Sequence, residues 1–119
     1  MRVASGGRFE YRGVDSSCNP YLTVASLLVA GLDGIRNQSD PGEPQSGNTY
    51  DLLQAGADLE KVPDSLGAAL VELEKDEVVR SAMPGRLYKV FEHYKRDEWE
   101  RYLAAVTDWE RNEYLEVLP

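Results

Sequence analysis

The sequence predicts an α+β, mostly α-helical fold: a short N-terminal β-strand or hairpin followed by about five helices. Two patterns carry this reading. Arg8 to Arg12 alternates charged and aromatic side chains between glycines, as an extended strand does, and from Pro20 onward apolar residues recur at three- and four-residue steps. Composition supports it: of 119 residues, 42% are hydrophobic and 29% charged, a globular balance rather than a disordered one. A compact chain of this length is at most one domain and buries about two thirds of its unfolded surface.

The strand comes first. Gly6 and Gly7 precede Arg8-Phe9-Glu10-Tyr11-Arg12, and Gly13 ends it. Alternation puts Arg8, Glu10 and Arg12 on one face and Phe9 and Tyr11 on the other. A lone strand leaves its backbone donors and acceptors unpaired. Either Val3 to Ser5 folds back through the two glycines as a hairpin, or the partners lie in sequence absent here, and a fragment of a larger enzyme is the expectation. Residues 1–15 form this strand region.

Asn19 followed by Pro20 reads as a helix N-cap with proline at the first helical position, where a missing N–H costs nothing. The helix is expected over residues 19–34, closed by Gly34 as a left-handed C-cap. Leu22, Val24, Ala25, Leu27, Leu28, Val29, Ala30 and Leu32 make it apolar nearly all round, the signature of a buried helix. Such a helix calls for more protein around it than 119 residues supply. Residues 36–50, rich in Asn, Ser, Pro and Gly, read as an exposed loop, with Tyr50, Leu52 and Leu53 anchoring it to the body.

Residues 64–118 form the helical region. Asp64 or Ser65 starts a helix with Leu66, Ala69, Leu70 and Leu73 on one face, and Asp76 to Met83 is a short helix stopped by Pro84 and Gly85. A long helix then carries Leu87, Val90, Phe91, Tyr94, Tyr102, Leu103 and Val106. Thr107 with Glu110 makes a capping box for a last helix bearing Trp109, Tyr114, Leu115 and Leu118.

Charge and cysteine content narrow the function. The net charge of −8 repels nucleic-acid phosphates and anionic lipid heads, so neither is an expected partner. Cys18 is the only cysteine and forms no internal disulfide. The longest apolar run, Val24 to Gly31, is too short to span a bilayer, and the cytoplasm is the expected location. His93 reads as a solvated helix residue and the Trp99 and Trp109 pair as packing. Taken alone, the Arg8, Glu10, Arg12 row is the pattern of a solvated strand face, with ion pairs worth under about 1 kcal/mol.

The motifs downstream of the strand, and their spacing from it, change that reading. Arg8-Phe9-Glu10-Tyr11-Arg12, then Asp15, Asn19-Pro20-Tyr21-Leu22 and Ala30-Gly31-Leu32-Asp33-Gly34-Ile35 resemble the C-terminal part of the glutamine synthetase catalytic domain, with its R-[IV]-E-x-R, N-P-Y-L and A-G-L-x-G-I motifs. Weaker likeness continues through Gly47 to Leu52, Ser65 to Asp76, and Trp99 to Leu115. The resemblance implies an ATP-dependent glutamate–amine ligase. ATP phosphorylates the glutamate side chain, and ammonia or an amine displaces phosphate to give glutamine or a γ-glutamylamide, with Mg2+ or Mn2+ between nucleotide and glutamate. It further implies that Glu10 is a metal ligand, that Arg12 is catalytic at glutamate and the transferred phosphate, and that Arg8 and Arg2 bind the nucleotide. Tyr50 stands where some bacterial members carry an adenylylated tyrosine, but its neighbours depart from that pattern.

The same resemblance implies what is missing. The chain has no counterpart of the family's N-terminal domain, its other metal ligands or its substrate loop, so by itself it is expected to be inactive. Its implied partners are the remainder of a glutamine synthetase-like chain and, as in the family's dodecamers, further copies of itself. The alternative expectation is a non-catalytic helical interaction module derived from that family.

Overall fold

The computed structural model describes residues 2–4, 6–45, 47–115 and 117. Its first element is the hairpin: β1 (Arg2–Ala4) pairs antiparallel with β2 (Arg8–Glu10), with Arg2 opposite Glu10, Val3 opposite Phe9 and Ala4 opposite Arg8. The glycines make the turn, since Gly6 and Gly7 sit at φ of +81° and +71°, where a Cβ is unfavourable.

Helix α1 (Pro20–Arg36) begins as expected, with the Asn19 side chain accepting from the backbone N–H groups of Tyr21 and Leu22 at 3.0 and 3.3 Å. Its end differs. The helix runs through Gly34, and the left-handed residue is Gln38 at φ +51°. Ser39 N–H donates to the Gly34 carbonyl at 2.9 Å and Gln38 N–H to Ile35 at 3.3 Å. This is a Schellman closure built without glycine, which satisfies the last carbonyls four residues beyond the expected stop.

The expected loop also ends early. Asn48 accepts from Tyr50 N–H at 3.1 Å and starts α2 (Thr49–Gln54), a sixth helix in place of the expected anchor. Tyr50 lies exposed on its first turn rather than packed onto the body.

The remaining helices follow their caps. Ser65 caps α3 (Leu66–Lys75), and Asp76 both ends α3 and caps α4 (Glu77–Arg80) through Val79 N–H. After the turn at Pro84 and Gly85 comes α5 (Leu87–Ala104), and Thr107 and Glu110 form both hydrogen bonds of a capping box at the start of α6 (Asp108–Tyr114). Leu118 lies outside the described residues.

Packing joins α1 to α4, and α3 to both α4 and α5. Leu70 and Met83 are the buried hydrophobic side chains at its centre. Gly67 lets α3 approach α5 closely: a Cβ there would lie 2.5 Å from Trp99 Nε1 and 2.6 Å from Cε2. Arg96 ties the same pair of helices, bonding Glu92 at 2.6 Å and reaching Glu74 at 3.9 Å.

A further expectation fails within this chain: α1 is not buried. None of its residues is buried, and Tyr21, Val24, Leu28, Leu32 and Ile35 are all at least half exposed. Its main packing partner among the described elements is the short α4.

Candidate functional site

The hairpin builds a small charge cluster around one carboxylate. Antiparallel partners share a face, so the register puts Arg2 directly across from Glu10, and its Nη1 lies 3.9 Å from Glu10 Oε2. Arg12 stands two residues past the end of β2, yet its Nη2 turns back to donate to the same oxygen at 2.9 Å. Arg8 occupies the same strand face two residues from Glu10 but makes no ion pair among the described residues. Of the expected row of Arg8, Glu10 and Arg12, the structure therefore gathers Glu10 and Arg12, and adds Arg2 from the neighbouring strand.

Exposure sets the strength of these contacts. Glu10 is 37% exposed and Arg12 71%, so in this chain the pairing is a solvated one, worth about 1 kcal/mol or less. What the geometry achieves is placement: a carboxylate held between two guanidinium groups, with a third cation, Arg8, along the same face.

Two features shape the segment that follows β2 and flanks Arg12, and the alternation pattern did not disclose them. Tyr11 folds its ring over Gly13, so a Cβ on Gly13 would stand 2.8 Å from the phenol oxygen and 2.9 Å from Cζ. The adjacency of an aromatic residue and a glycine across Arg12 was the available signal. Asp15 then accepts from both the hydroxyl and the backbone N–H of Ser17, while Cys18 N–H donates to the Asp15 carbonyl. The two bonds from Ser17, the hydroxyl first and then the backbone N–H, hold the Asp15 carboxyl below its ordinary value. This turn delivers the chain to the Asn19 cap of α1.

A carboxylate oxygen is a suitable hard donor for Mg2+ or Mn2+. One carboxylate does not make a site for such an ion, which takes several oxygen ligands. Among the described residues, no group of three or more His, Cys, Asp or Glu side chains is placed to hold a metal. Glu10 thus fits as a contributed ligand and not as a complete centre. A separate open groove of about 410 Å3 lies between α1 and α4, lined by residues including Val29, Leu32, Arg36, Glu77 and Val78, and none of the four site residues reaches it. His93 is exposed on α5, edge-on to Tyr94. No helix of the described residues is long and apolar enough to cross a membrane.

Comparison with known proteins identifies the family of the chain. The family model for the glutamine synthetase catalytic domain matches residues 1–114. The chain is 47% identical over 119 residues to glutamate–methylamine ligase of Methyloversatilis universalis, covering 98% of this chain and 27% of that protein. It is 42% identical over 111 residues to glutamine synthetase of Methanocaldococcus jannaschii, covering 91% and 24%. Among solved structures, a GmaS/ADP complex superposes with a TM-score of 0.78 at 38% identity, covering 86% of this chain and 23% of that one. GmaS without ligand gives 0.75 at 39% identity, covering 85% and 24%. The chain spans about a quarter of the length of these relatives. With nearly all of its residues matched by the family model and 86% of the chain superposed on a solved relative, the chain belongs to the glutamine synthetase family, corresponding to one stretch of its catalytic domain.

Proposed function

We propose that this chain supplies one wall of the active site of an ATP-dependent glutamate–amine ligase, forming glutamine or a γ-glutamylamide, and that it is inactive without the other walls. The observation that carries the reading is the Glu10 carboxylate held between Arg2 and Arg12 on a hairpin, in a chain of this family.

Each residue then has a chemical task. Glu10 contributes an oxygen to a divalent cation, and that cation, when bound, neutralises phosphate charge. Arg12 directs its guanidinium to the glutamate and to the phosphoryl group in transfer, where planar paired donors suit oxygens that gain charge. Arg8 and Arg2 bind nucleotide phosphates from the same face. In the structure the Arg12 guanidinium rests on Glu10 through a solvated contact at 2.9 Å, weak enough to be exchanged for substrate oxygens. The ligase acts in the cytoplasm as a homo-oligomer, on ammonia or a small amine. Similarity to both glutamine synthetases and a glutamate–methylamine ligase supports that substrate range.

The test uses two proteins: the purified chain, and the M. universalis ligase with its matching segment exchanged for this chain. The expected results are no ATP-dependent amide formation by the chain alone and activity in the exchanged ligase. Glu10→Ala should reduce that activity at least about 100-fold. Activity in the isolated chain, or an exchanged ligase indifferent to Glu10→Ala, would refute the proposal.

A further inference from the structure

Most glycines of this chain are explained by torsion or stand in open space. Gly13 and Gly67 are not: neither has a positive φ, and at both a Cβ would meet an aromatic ring closer than 3.0 Å. Space, and not backbone torsion, calls for glycine at these two positions. At Gly67 the ring is Trp99, and the contact joins two helices. At Gly13 it is Tyr11, whose Oη, Cζ and Cε1 would stand 2.8, 2.9 and 3.4 Å from a Cβ. That contact brackets Arg12. Strand pairing ends with Arg2 opposite Glu10, so among the described residues no backbone ladder holds residues 11–13. By alternation Tyr11 starts out on the Phe9 side, away from Glu10. It is nevertheless 39% exposed against 55% for Phe9, in keeping with a ring folded onto the chain rather than held out into solvent.

We infer that Tyr11 is a positioning residue for the ligase reaction: its ring, seated on Gly13, aims the Arg12 guanidinium at the glutamate subsite. The inference deepens the proposed ligase reading and rests on it. A ring from residue 11 resting on the backbone of residue 13 restricts the two soft torsions of the residue between them, and those torsions set the direction in which the Arg12 side chain leaves the chain. The other restraints on Arg12 are weaker. Its ion pair with Glu10 is solvated, and in the ligase reading the Glu10 oxygens also serve a metal. The hydrogen-bonded turn downstream begins only at Asp15. A long, rotamer-rich side chain meets a reacting group reproducibly only when its origin is fixed. The ring acts by shape, so phenylalanine can replace tyrosine and alanine cannot. Gly13 is the other half of the clasp, because any side chain there pushes the ring away.

The test uses the M. universalis ligase carrying this chain in place of its matching segment, with KM read separately for glutamate and for ATP. Tyr11→Ala should raise the glutamate KM at least about 5-fold, keep the ATP KM within about 2-fold and leave the melting temperature unchanged. Tyr11→Phe should stay within about 2-fold of the unsubstituted protein in both constants. Gly13→Ala displaces the same ring, so combining it with Tyr11→Ala should be no worse than Tyr11→Ala alone. In an Arg12→Lys background, Tyr11→Ala should add less than about 2-fold. Backbone amide relaxation of the isolated chain reads placement without catalysis: the Arg12 amide should become more mobile in Tyr11→Ala and be unchanged in Tyr11→Phe. Full multiplication of effects in either double variant, equal rises in both KM values, or an Arg12 amide indifferent to Tyr11→Ala overturns the inference. So does an unchanged glutamate KM in Tyr11→Ala where Arg12→Lys raises it. If Arg12→Lys itself leaves the kinetics unchanged, the ligase reading falls, and the relaxation result alone decides whether Tyr11 positions Arg12.

Discussion

Substituting Gly67 by alanine tests the contact between α3 and α5. In a helix, Gly→Ala ordinarily stabilises by up to about 1 kcal/mol, and less near the first turn, where Gly67 lies. Here the added methyl would stand 2.5, 2.6 and 3.0 Å from Trp99 Nε1, Cε2 and Cζ2, when carbon contacts settle near 3.5–4.0 Å. The indole is a rigid ring stacked on Tyr102 at 5.5 Å, so it has no flexible end to yield, and the helices must part by about 1 Å. Overpacking of this kind costs about 1–3 kcal/mol. The net expectation for Gly67→Ala is therefore destabilisation by about 1–2 kcal/mol. Gly34 supplies the control, because a Cβ there meets nothing within 4 Å. Gly34→Ala should stabilise α1 by up to about 1 kcal/mol. Urea unfolding followed by circular dichroism at 222 nm reads both, with Trp fluorescence reporting the α3–α5 contact. If Gly67→Ala raises the midpoint as Gly34→Ala does, the close approach of α3 to Trp99 is refuted.

Other perturbations have equally definite outcomes. Gln38→Gly should stabilise the chain by about 1 kcal/mol, because glycine takes φ of +51° without Cβ strain, and a lowered urea midpoint would contradict the Schellman closure of α1. The α6 capping box should melt in acid. The Thr107 backbone N–H, and then its hydroxyl, donate to Glu110 and hold that carboxyl below its ordinary value. Its contribution is present above about pH 4.3 and is lost as pH falls through the lower folded value. Backbone chemical shifts of residues 108–114 titrated toward about pH 2 should report the loss, and Glu110→Gln, which has no carboxyl to protonate, should remove the transition. Gly13→Ala should displace the Tyr11 ring, and with it the Arg12 guanidinium. In the exchanged ligase this predicts weaker glutamate binding with the fold unchanged, measured as a raised KM at unchanged melting temperature.

The elements most legible in the sequence were those specified by adjacent residues. Asn19-Pro20 and Thr107 with Glu110 act through bonds within a few positions and appear where expected, while of the alternatives left open the structure takes Ser65 over Asp64 as the cap and forms the Gly6-Gly7 hairpin. Gly34 misled because glycine is the usual left-handed terminator, and nothing local revealed that Gln38 would take that conformation instead. Helix α2 went unseen because six residues are too few to display a period, although Asn48 and Asp51 were a cap and a first-turn acid in plain view. At the site, alternation correctly aligned Glu10 with its neighbours on one face. The closeness of Arg2 depends on register across the hairpin, and that of Arg12 on a turn past the strand end, neither of which periodicity encodes. The burial of α1 was read from its own composition, but burial also needs a cover, which the composition of one helix does not encode.

The claim at the centre is that Glu10 is a metal ligand whose site is completed by other parts of a ligase. Mn2+ binding to the M. universalis ligase carrying this chain, measured by titration with and without Glu10→Gln, tests it most directly. The substitution keeps the shape of the side chain, exchanges one acceptor oxygen for an amide donor and removes the charge. The prediction is that one Mn2+ per chain is lost or weakened at least about 10-fold, while α1 and the remaining sites are unaffected. Unchanged stoichiometry and affinity in the Glu10→Gln protein would contradict it.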